Sequence, residues 1–87
     1  MQAITVVVHN KSGLHARPAS LLVGAAKKFE SNITIKKNEK AVNAKSMMAI
    51  LSIGAIKGDH LQIEAEGADE LEAIPVMKEL FSTKIQE

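Results

Sequence analysis

Residues 61–66, Leu-Gln-Ile-Glu-Ala-Glu, alternate apolar and polar side chains over six consecutive positions. Successive side chains of a β-strand point to opposite faces of a sheet, so this stretch predicts a strand with one buried and one solvated face. The β-branched runs at residues 3–8 and 33–37 show the same period, and residues 41–43 form a short return strand after a turn at Asn38-Glu39. Because the outward positions of these strands are mostly polar, one face of the predicted sheet meets water.

Two helices are predicted between these strands. After a turn at residues 10–13, apolar side chains recur at helical spacing and predict a helix from about Ala16 to Phe29. A second helix of about two turns is expected at residues 47–53, because Ser46 can cap its N-terminus and Gly54 can end it.

A third helix is predicted after the last strand. Asp69 and Glu72 form a predicted capping pair at its start. Pro75 lies inside it and lacks the N–H that would bond to the carbonyl of Leu71, so a kink or a late start is expected. Its apolar positions are Leu71, Ile74, Met77, Phe81 and Ile85.

The order of these elements, β-α-β-β-α-β-α, predicts the fold class. Since one face of the sheet is solvated, all three helices belong on the other face. We therefore expect a single two-layer α+β domain over residues 1–87, with an antiparallel or largely antiparallel sheet.

Composition excludes several classes of function. The 87 residues are too few for a large enclosed cofactor cavity, and no cofactor is expected. Eleven basic and ten acidic residues, with two Phe and no Tyr or Trp, argue against a nucleic-acid partner. Without cysteine, and with three widely spaced histidines, no metal site is expected. The chain shows no signal peptide and no membrane-length apolar run, so we expect a cytoplasmic protein without membrane insertion.

The stretch Gly13-Leu14-His15-Ala16-Arg17-Pro18-Ala19 passes from a turn into the first predicted helix. The first amides of a helix lack intrahelical partners and carry partial positive charge, so the N–H groups of Ala16 and Arg17 can hold a phosphate attached to His15. Arg17 is the only arginine, and Ser12 can add a hydroxyl donor. A neutral imidazole is nucleophilic near neutral pH, which suits transient phosphorylation. The residues alone leave open that His15 merely caps the helix and that Arg17 is solvated surface.

This same stretch closely resembles the active-site segment of the HPr family, the histidine-containing phosphocarriers of the bacterial phosphoenolpyruvate:sugar phosphotransferase system. A second segment, residues 43–54, resembles the regulatory-serine helix of that family. Length and element order extend the resemblance over essentially the whole chain. It implies a four-stranded antiparallel sheet in the order 1-4-2-3 with three helices on one face, an open-faced sandwich.

The resemblance also implies a function. His15 is expected to take a phosphoryl group through Nδ1 from phosphorylated enzyme I and pass it to IIA domains of sugar permeases, so the protein is a carrier and not an enzyme. The Met-rich second helix is closer to the version of low-GC Gram-positive bacteria, in which a kinase/phosphorylase modifies the serine matching Ser46. The modified protein then acts with a catabolite-control repressor. Ala49 stands where that version usually carries glycine, and Pro75 is not typical of the third helix.

A partner surface is predicted beside His15, where the first two helices meet. Its residues are Leu14, Ser20, Leu21, Lys27, Met47, Met48 and Leu51. Each apolar residue among them can instead fill the core, and Ser46 can be a helix cap and nothing more. A monomer is the expected state.

Two other functions stay open at this point. One is a purely regulatory binding module that acts only through the serine, which the presence of His15 argues against. The other is a ferredoxin-like domain that binds a small regulatory ligand, since fold does not determine function. Neither a Gly-rich phosphate loop nor an acidic cluster supports this second alternative.

Overall fold

The structure, a computed structural model, describes residues 1–9, 11 and 13–84. Within this part of the chain there are four strands and three α-helices, the last of which continues into a π-helical turn at Leu80–Lys84. The strands are β1 (Gln2–Val7), β2 (Asn32–Lys37), β3 (Lys40–Asn43) and β4 (His60–Glu66). The α-helices are α1 (Ala16–Ala26), α2 (Met47–Ser52) and α3 (Glu70–Glu79).

The four strands form one antiparallel sheet in the order β1-β4-β2-β3, which confirms the expected topology. Ile63 on the central strand β4 aligns with Ile4 on β1 and with Ile35 on β2. Ile35 and Ile63 are fully buried, whereas Gln62 of β4 is exposed, so the alternation of residues 61–66 separates the two faces as predicted. The three helices cover the buried face, which gives the predicted open-faced α+β sandwich.

The first helix is shorter than its apolar spacing predicts. It ends at Ala26 because the next N–H groups change partner: Lys28 donates to Ala25 and Phe29 donates to Ala26, three residues back instead of four. Phe29 therefore lies outside the helix, although its side chain still packs against the core. The second helix agrees with its prediction to within one residue, because it ends at Ser52 with Ile53 as its C-cap.

The start of α3 differs from its prediction. The carboxylate of Asp69 makes no cap hydrogen bond, so the expected pairing with Glu72 is wrong. Asp69 instead accepts from the N–H groups of Glu30 and Ser31, both at 2.9 Å, and from the Ser31 hydroxyl. The helix begins at Glu70 and runs through the exposed Pro75, so of the two expected outcomes, a kink or a late start, the late start does not occur. Ile85, predicted on the apolar side of this helix, lies outside the described residues.

No helix in residues 1–9, 11 and 13–84 is both long enough and apolar enough to cross a membrane. The same residues contain no group of three or more His, Asp or Glu side chains that could hold a metal ion.

Candidate functional site

His15 occupies the N-cap position of α1. Its backbone is extended, with φ −87° and ψ −170°, and its imidazole makes no cap hydrogen bond. The side chain is half-buried. In this structure, therefore, the imidazole of His15 does not serve as the side-chain cap of the helix.

The segment before His15 is held against a distant part of the chain. The Leu14 N–H donates to the carbonyl of Ala55 at 3.1 Å. Gly13 has φ +68°, and a Cβ there would meet the Ala55 carbonyl oxygen and would lie 2.9 Å from the Cα of Ile56. Only a residue without a Cβ fits this approach, so the turn can deliver His15 to the helix start only with glycine at position 13.

The burial of Leu14 corrects one predicted role. Its exposed fraction is 5%, and it belongs to the hydrophobic core. In this structure Leu14 therefore fills the core and presents almost no surface to a partner. Its proximity in sequence to His15 suggested a surface role, but the bond to Ala55 draws it inward.

The first turn of α1 favours an anion. The bond from the Ala19 N–H to the carbonyl of His15, at 3.0 Å, is the first of the intrahelical ladder, and Pro18 before it has no N–H. In an α-helix the amides of the two preceding residues, here Ala16 and Arg17, have no intrahelical acceptor. The turn contains no acidic residue, and Arg17 is exposed. Ser12, predicted to add a hydroxyl donor, lies outside the described residues.

Ser46 caps α2, as predicted. Its backbone is extended, and its Oγ accepts from the Ala49 N–H at 3.3 Å. The turn before it is closed by Asn43, whose side-chain oxygen accepts from the Lys45 N–H at 2.8 Å. Ser46 is half-buried at the start of the helix.

The first two helices are linked where the partner surface was predicted. The Lys45 ammonium donates to the carbonyl of Phe29 at 2.7 Å, which joins the turn after α1 to the start of α2. Met47 is half-buried against the core. The other predicted members, apart from Leu14, are exposed: Ser20, Leu21, Lys27, Met48 and Leu51. Met48, with 83% of its surface exposed, is the most accessible apolar side chain of the group.

The family model described as the PTS HPr component phosphorylation site matches residues 2–83. The chain belongs to the HPr family. A phosphocarrier protein HPr of Treponema pallidum is 42% identical over 83 residues, which are 95% of this chain and 94% of that relative. It follows that the protein is a phosphocarrier of the phosphotransferase system, which carries a phosphoryl group and does not catalyse a reaction of its own.

Solved structures of HPr proteins have the same fold. A crystal structure of HPr from Thermoanaerobacter tengcongensis matches with a TM-score of 0.95 at 47% identity, over 100% of this chain and 98% of that chain. The Crh protein of Bacillus subtilis, described as a catabolite repression protein with a swapped dimer, matches with a TM-score of 0.75 at 38% identity. That match covers 94% of each chain.

Sequence reasoning singled out His15, Arg17 and Ser46 as candidate site residues, but it missed the segment that lies against the turn before His15. The carbonyl of Ala55 and the backbone of Ile56 lie against Gly13 and Leu14. No motif connects these two parts of the chain. The turn glycine at position 13 was the only available signal, and it does not indicate which backbone approaches it.

Proposed function

We propose that His15 accepts a phosphoryl group from phosphorylated enzyme I and passes it to IIA domains of sugar permeases in the cytoplasm. The observation that carries this proposal is the position of His15 at the N-terminus of the eleven-residue α1, with Arg17 exposed in the same turn. The family match supports it, because the family is described by a phosphorylation site. We propose that residues 1–87 act as one such domain.

The transfer is a displacement at phosphorus. A neutral imidazole nitrogen, Nδ1 by resemblance to the family, attacks the phosphorus carried by enzyme I and forms the N–P bond. The bond from phosphorus to its donor atom breaks, and the donor keeps that electron pair. The other ring nitrogen of His15 keeps its proton as the ring becomes cationic. Transfer to a IIA domain repeats the displacement with His15 as the leaving group.

The first turn of α1 supplies the charge compensation that a loose phosphoryl transition state needs. The N–H groups of Ala16 and Arg17 lie at the N-terminus of α1, which is the positive end of the helix dipole and stabilises phosphate oxygens. The guanidinium of Arg17 adds planar, permanently charged donors. We assign the hydroxyl of Ser12 to the same phosphate environment.

Partners approach, in this proposal, over the junction of α1 and α2. The exposed residues Leu21, Met48 and Leu51 supply apolar contact, and Ser20 and Lys27 surround them. Met47, half-buried beneath, completes the surface that we assign to enzyme I and the IIA domains.

Ser46 is proposed as a regulatory phosphorylation site for a serine kinase/phosphorylase, with a catabolite-control repressor as the partner of the modified form. Its Oγ makes one long hydrogen bond to the Ala49 N–H, so phosphorylation of this oxygen would disturb only a weak capping interaction. The new phosphate would remain at the N-terminus of α2, beside Met47 and Met48.

The Crh relative, described as a catabolite repression protein, represents the regulatory alternative. The presence of His15 in the first turn of α1 favours a carrier for this chain. We propose that it works as a monomer, because a carrier must present the same histidine to two partners in turn. Analytical ultracentrifugation distinguishes this state from a dimer such as that described for Crh.

Incubation with phosphoenolpyruvate and enzyme I tests the carrier function directly. We expect one acid-labile, base-stable phosphate, as for a phosphoramidate, and we expect His15→Ala to abolish it. The matched controls are His9→Ala and His60→Ala, which remove exposed histidines from the strand regions and should accept phosphate as the wild type does. Phosphate on the His15→Ala protein would refute the assignment.

A further inference from the structure

The loop of residues 53–59, which joins α2 to β4, packs against Gly13 and Leu14, the two residues before His15. We call it the support loop. The Ala55 carbonyl of this loop accepts the Leu14 N–H, and the backbone of Ala55 and Ile56 lies so close to Gly13 that a Cβ there would clash with it. Because Leu14 is followed directly by His15, a displacement of this loop displaces the start of α1.

One lysine of the sheet holds both ends of the support loop. The ammonium of Lys37, at the end of β2, donates to the carbonyl of Gly54 at 3.1 Å. It also pairs with the Asp59 carboxylate at 2.9 Å, and each of the two side chains is 24% exposed. A single cation thus joins the beginning of the loop to its end and fastens both to a central strand.

Asp59 transmits this contact to the middle of the loop. Its carboxylate accepts from the Ile56 N–H at 2.8 Å, and its own N–H donates to the Ile56 carbonyl at 3.0 Å. The neighbouring backbone is bonded to Val8, the residue after β1: the Gly58 N–H donates to the Val8 carbonyl, and the Val8 N–H donates to the Asp59 carbonyl. The connection therefore runs from Lys37 through Asp59 and Ile56 to the backbone that touches Gly13.

The charge state of Asp59 suits this role. The Ile56 N–H, and then Lys37, hold the pKa of the Asp59 carboxyl below its usual value of 3.8. The carboxylate is therefore ionised, and the ion pair is formed, throughout the pH range in which phosphotransfer is measured.

We infer that Lys37 and Asp59 are positioning residues for phosphoryl transfer, which hold the support loop so that Gly13 and Leu14 present His15 at the start of α1. The inference rests on the proposed function of His15. The inference concerns the position of His15 rather than global stability, because an ion pair between partly exposed side chains contributes little to folding. Transfer rates, in contrast, respond strongly to small displacements of a reacting group.

The neighbouring lysine provides a matched control. Lys36 also pairs with a carboxylate, that of Glu64, at 3.0 Å. Adjacent residues of a strand point to opposite faces, so Lys36 lies on the open face of the sheet, away from the support loop. Lys36→Met and Lys37→Met each remove one cation and one surface ion pair, but only Lys37→Met releases the loop.

The experiment measures two quantities for each variant: amide hydrogen exchange at Leu14, and transfer from phosphorylated enzyme I as a function of its concentration. For Lys37→Met we expect Leu14 exchange to rise about three- to tenfold. We expect the maximal transfer rate to fall by about three- to tenfold with an unchanged half-saturating concentration. Asp59→Asn should change both quantities as Lys37→Met does, and the double variant Lys37→Met/Asp59→Asn should be no more impaired than either single variant. Lys37→Arg, which keeps the cation, should have the exchange and transfer rates of the wild type.

Three results would overturn the inference. One is equal Leu14 exchange in Lys37→Met and Lys36→Met. Another is faster Leu14 exchange in Lys37→Met with no decrease in its maximal rate of transfer from enzyme I. The third is a loss of thermal stability in Lys37→Met well beyond that in Lys36→Met, which would make Lys37 a residue of general stability. If the wild-type protein took no phosphate on His15, the proposed function would fail separately, and Leu14 exchange would still decide whether Lys37 holds the loop.

Discussion

The guanidinium of Arg17 is the charged side chain nearest in sequence to His15, and it is exposed in the first turn of α1. A lysine there would keep the charge but would replace a planar fork of donors with a point charge on a flexible stem. The difference between the two side chains therefore separates geometric recognition of the phosphoryl group from simple attraction.

Arg17→Lys should slow phosphoryl transfer from enzyme I by about tenfold, because fewer donors remain aligned with the transferring oxygens. Single-turnover kinetics measure this rate. The control is Lys28→Arg, which conserves the charge of an exposed cation in the turn after α1 and should leave transfer unchanged. Equal rates for Arg17→Lys and the wild type would exclude Arg17 from the phosphate environment.

At the scale of elements, α2 depends on contacts at both of its ends. It has six residues, too few to be stable alone in water. Ser46 caps its N-terminus, and the ammonium of Lys40 binds the carbonyl of Ser52 at its C-terminus at 2.6 Å. Lys37 binds the next part of the chain at Gly54. The β2–β3 hairpin thus holds the end of α2, and a new charge at Ser46 would be placed on an element that is already fixed.

Ser46→Asp should keep its thermal stability, because aspartate also caps a helix and its charge suits the positive end of the dipole. It should accept phosphate from enzyme I more slowly at low salt, since the added charge lies beside Met47 and Met48 in the proposed partner surface. The defect should shrink as salt screens that charge.

The control for this prediction is Ser46→Ala. It should lose up to about 1 kcal/mol of stability through the missing cap while transferring phosphate near normally. Thermal unfolding and transfer kinetics at two salt concentrations measure both effects. If Ser46→Asp accepted phosphate from enzyme I at the wild-type rate in low salt, the regulatory role would be excluded, and Ser46 would be a helix cap only.

At the scale of the whole molecule, Asp69 joins three elements. From the start of α3 its carboxylate binds the backbone N–H groups of Glu30 and Ser31 and the Ser31 hydroxyl, between α1 and β2. The Ser31 hydroxyl, and then the Glu30 N–H, hold the pKa of the Asp69 carboxyl below its usual value of 3.8. The folded protein therefore binds the proton of this group less readily than the unfolded chain does.

This difference gives a pH-dependent stability of known sign. The contribution of Asp69 is fully present above pH 3.8 and is lost as the pH falls through its lower folded-state pKa. Asp69→Asn should therefore lower the melting temperature at neutral pH, and the gap to the wild type should close in acid. The control is Glu39→Gln, an exposed carboxylate in the β2–β3 turn whose loss should change neither the melting temperature nor its pH dependence. A gap for Asp69→Asn that did not depend on pH would contradict this account.

Local patterns in the sequence predicted most of the elements and the position of the candidate site. The two-residue period of residues 61–66 separated the faces of the sheet, and Ser46 proved to be the cap of α2. His15 was expected where α1 begins, and it lies there. These features depend on neighbours within a few residues, so their physical causes are visible in a short window. The strand order came from resemblance to the HPr family, since periodicity does not encode which strands pair.

Only the tertiary structure decided which distant groups meet. It buried Leu14, which had been predicted on the partner surface, and it directed the Asp69 carboxylate to Ser31 instead of to its own helix. It also brought Lys37 to the support loop, although the sequence shows Lys36-Lys37 as an ordinary solvated pair. Each of these contacts joins residues far apart in the chain. Their geometry is set by how the helices and loops pack on the sheet, and no local spacing or propensity carries that information.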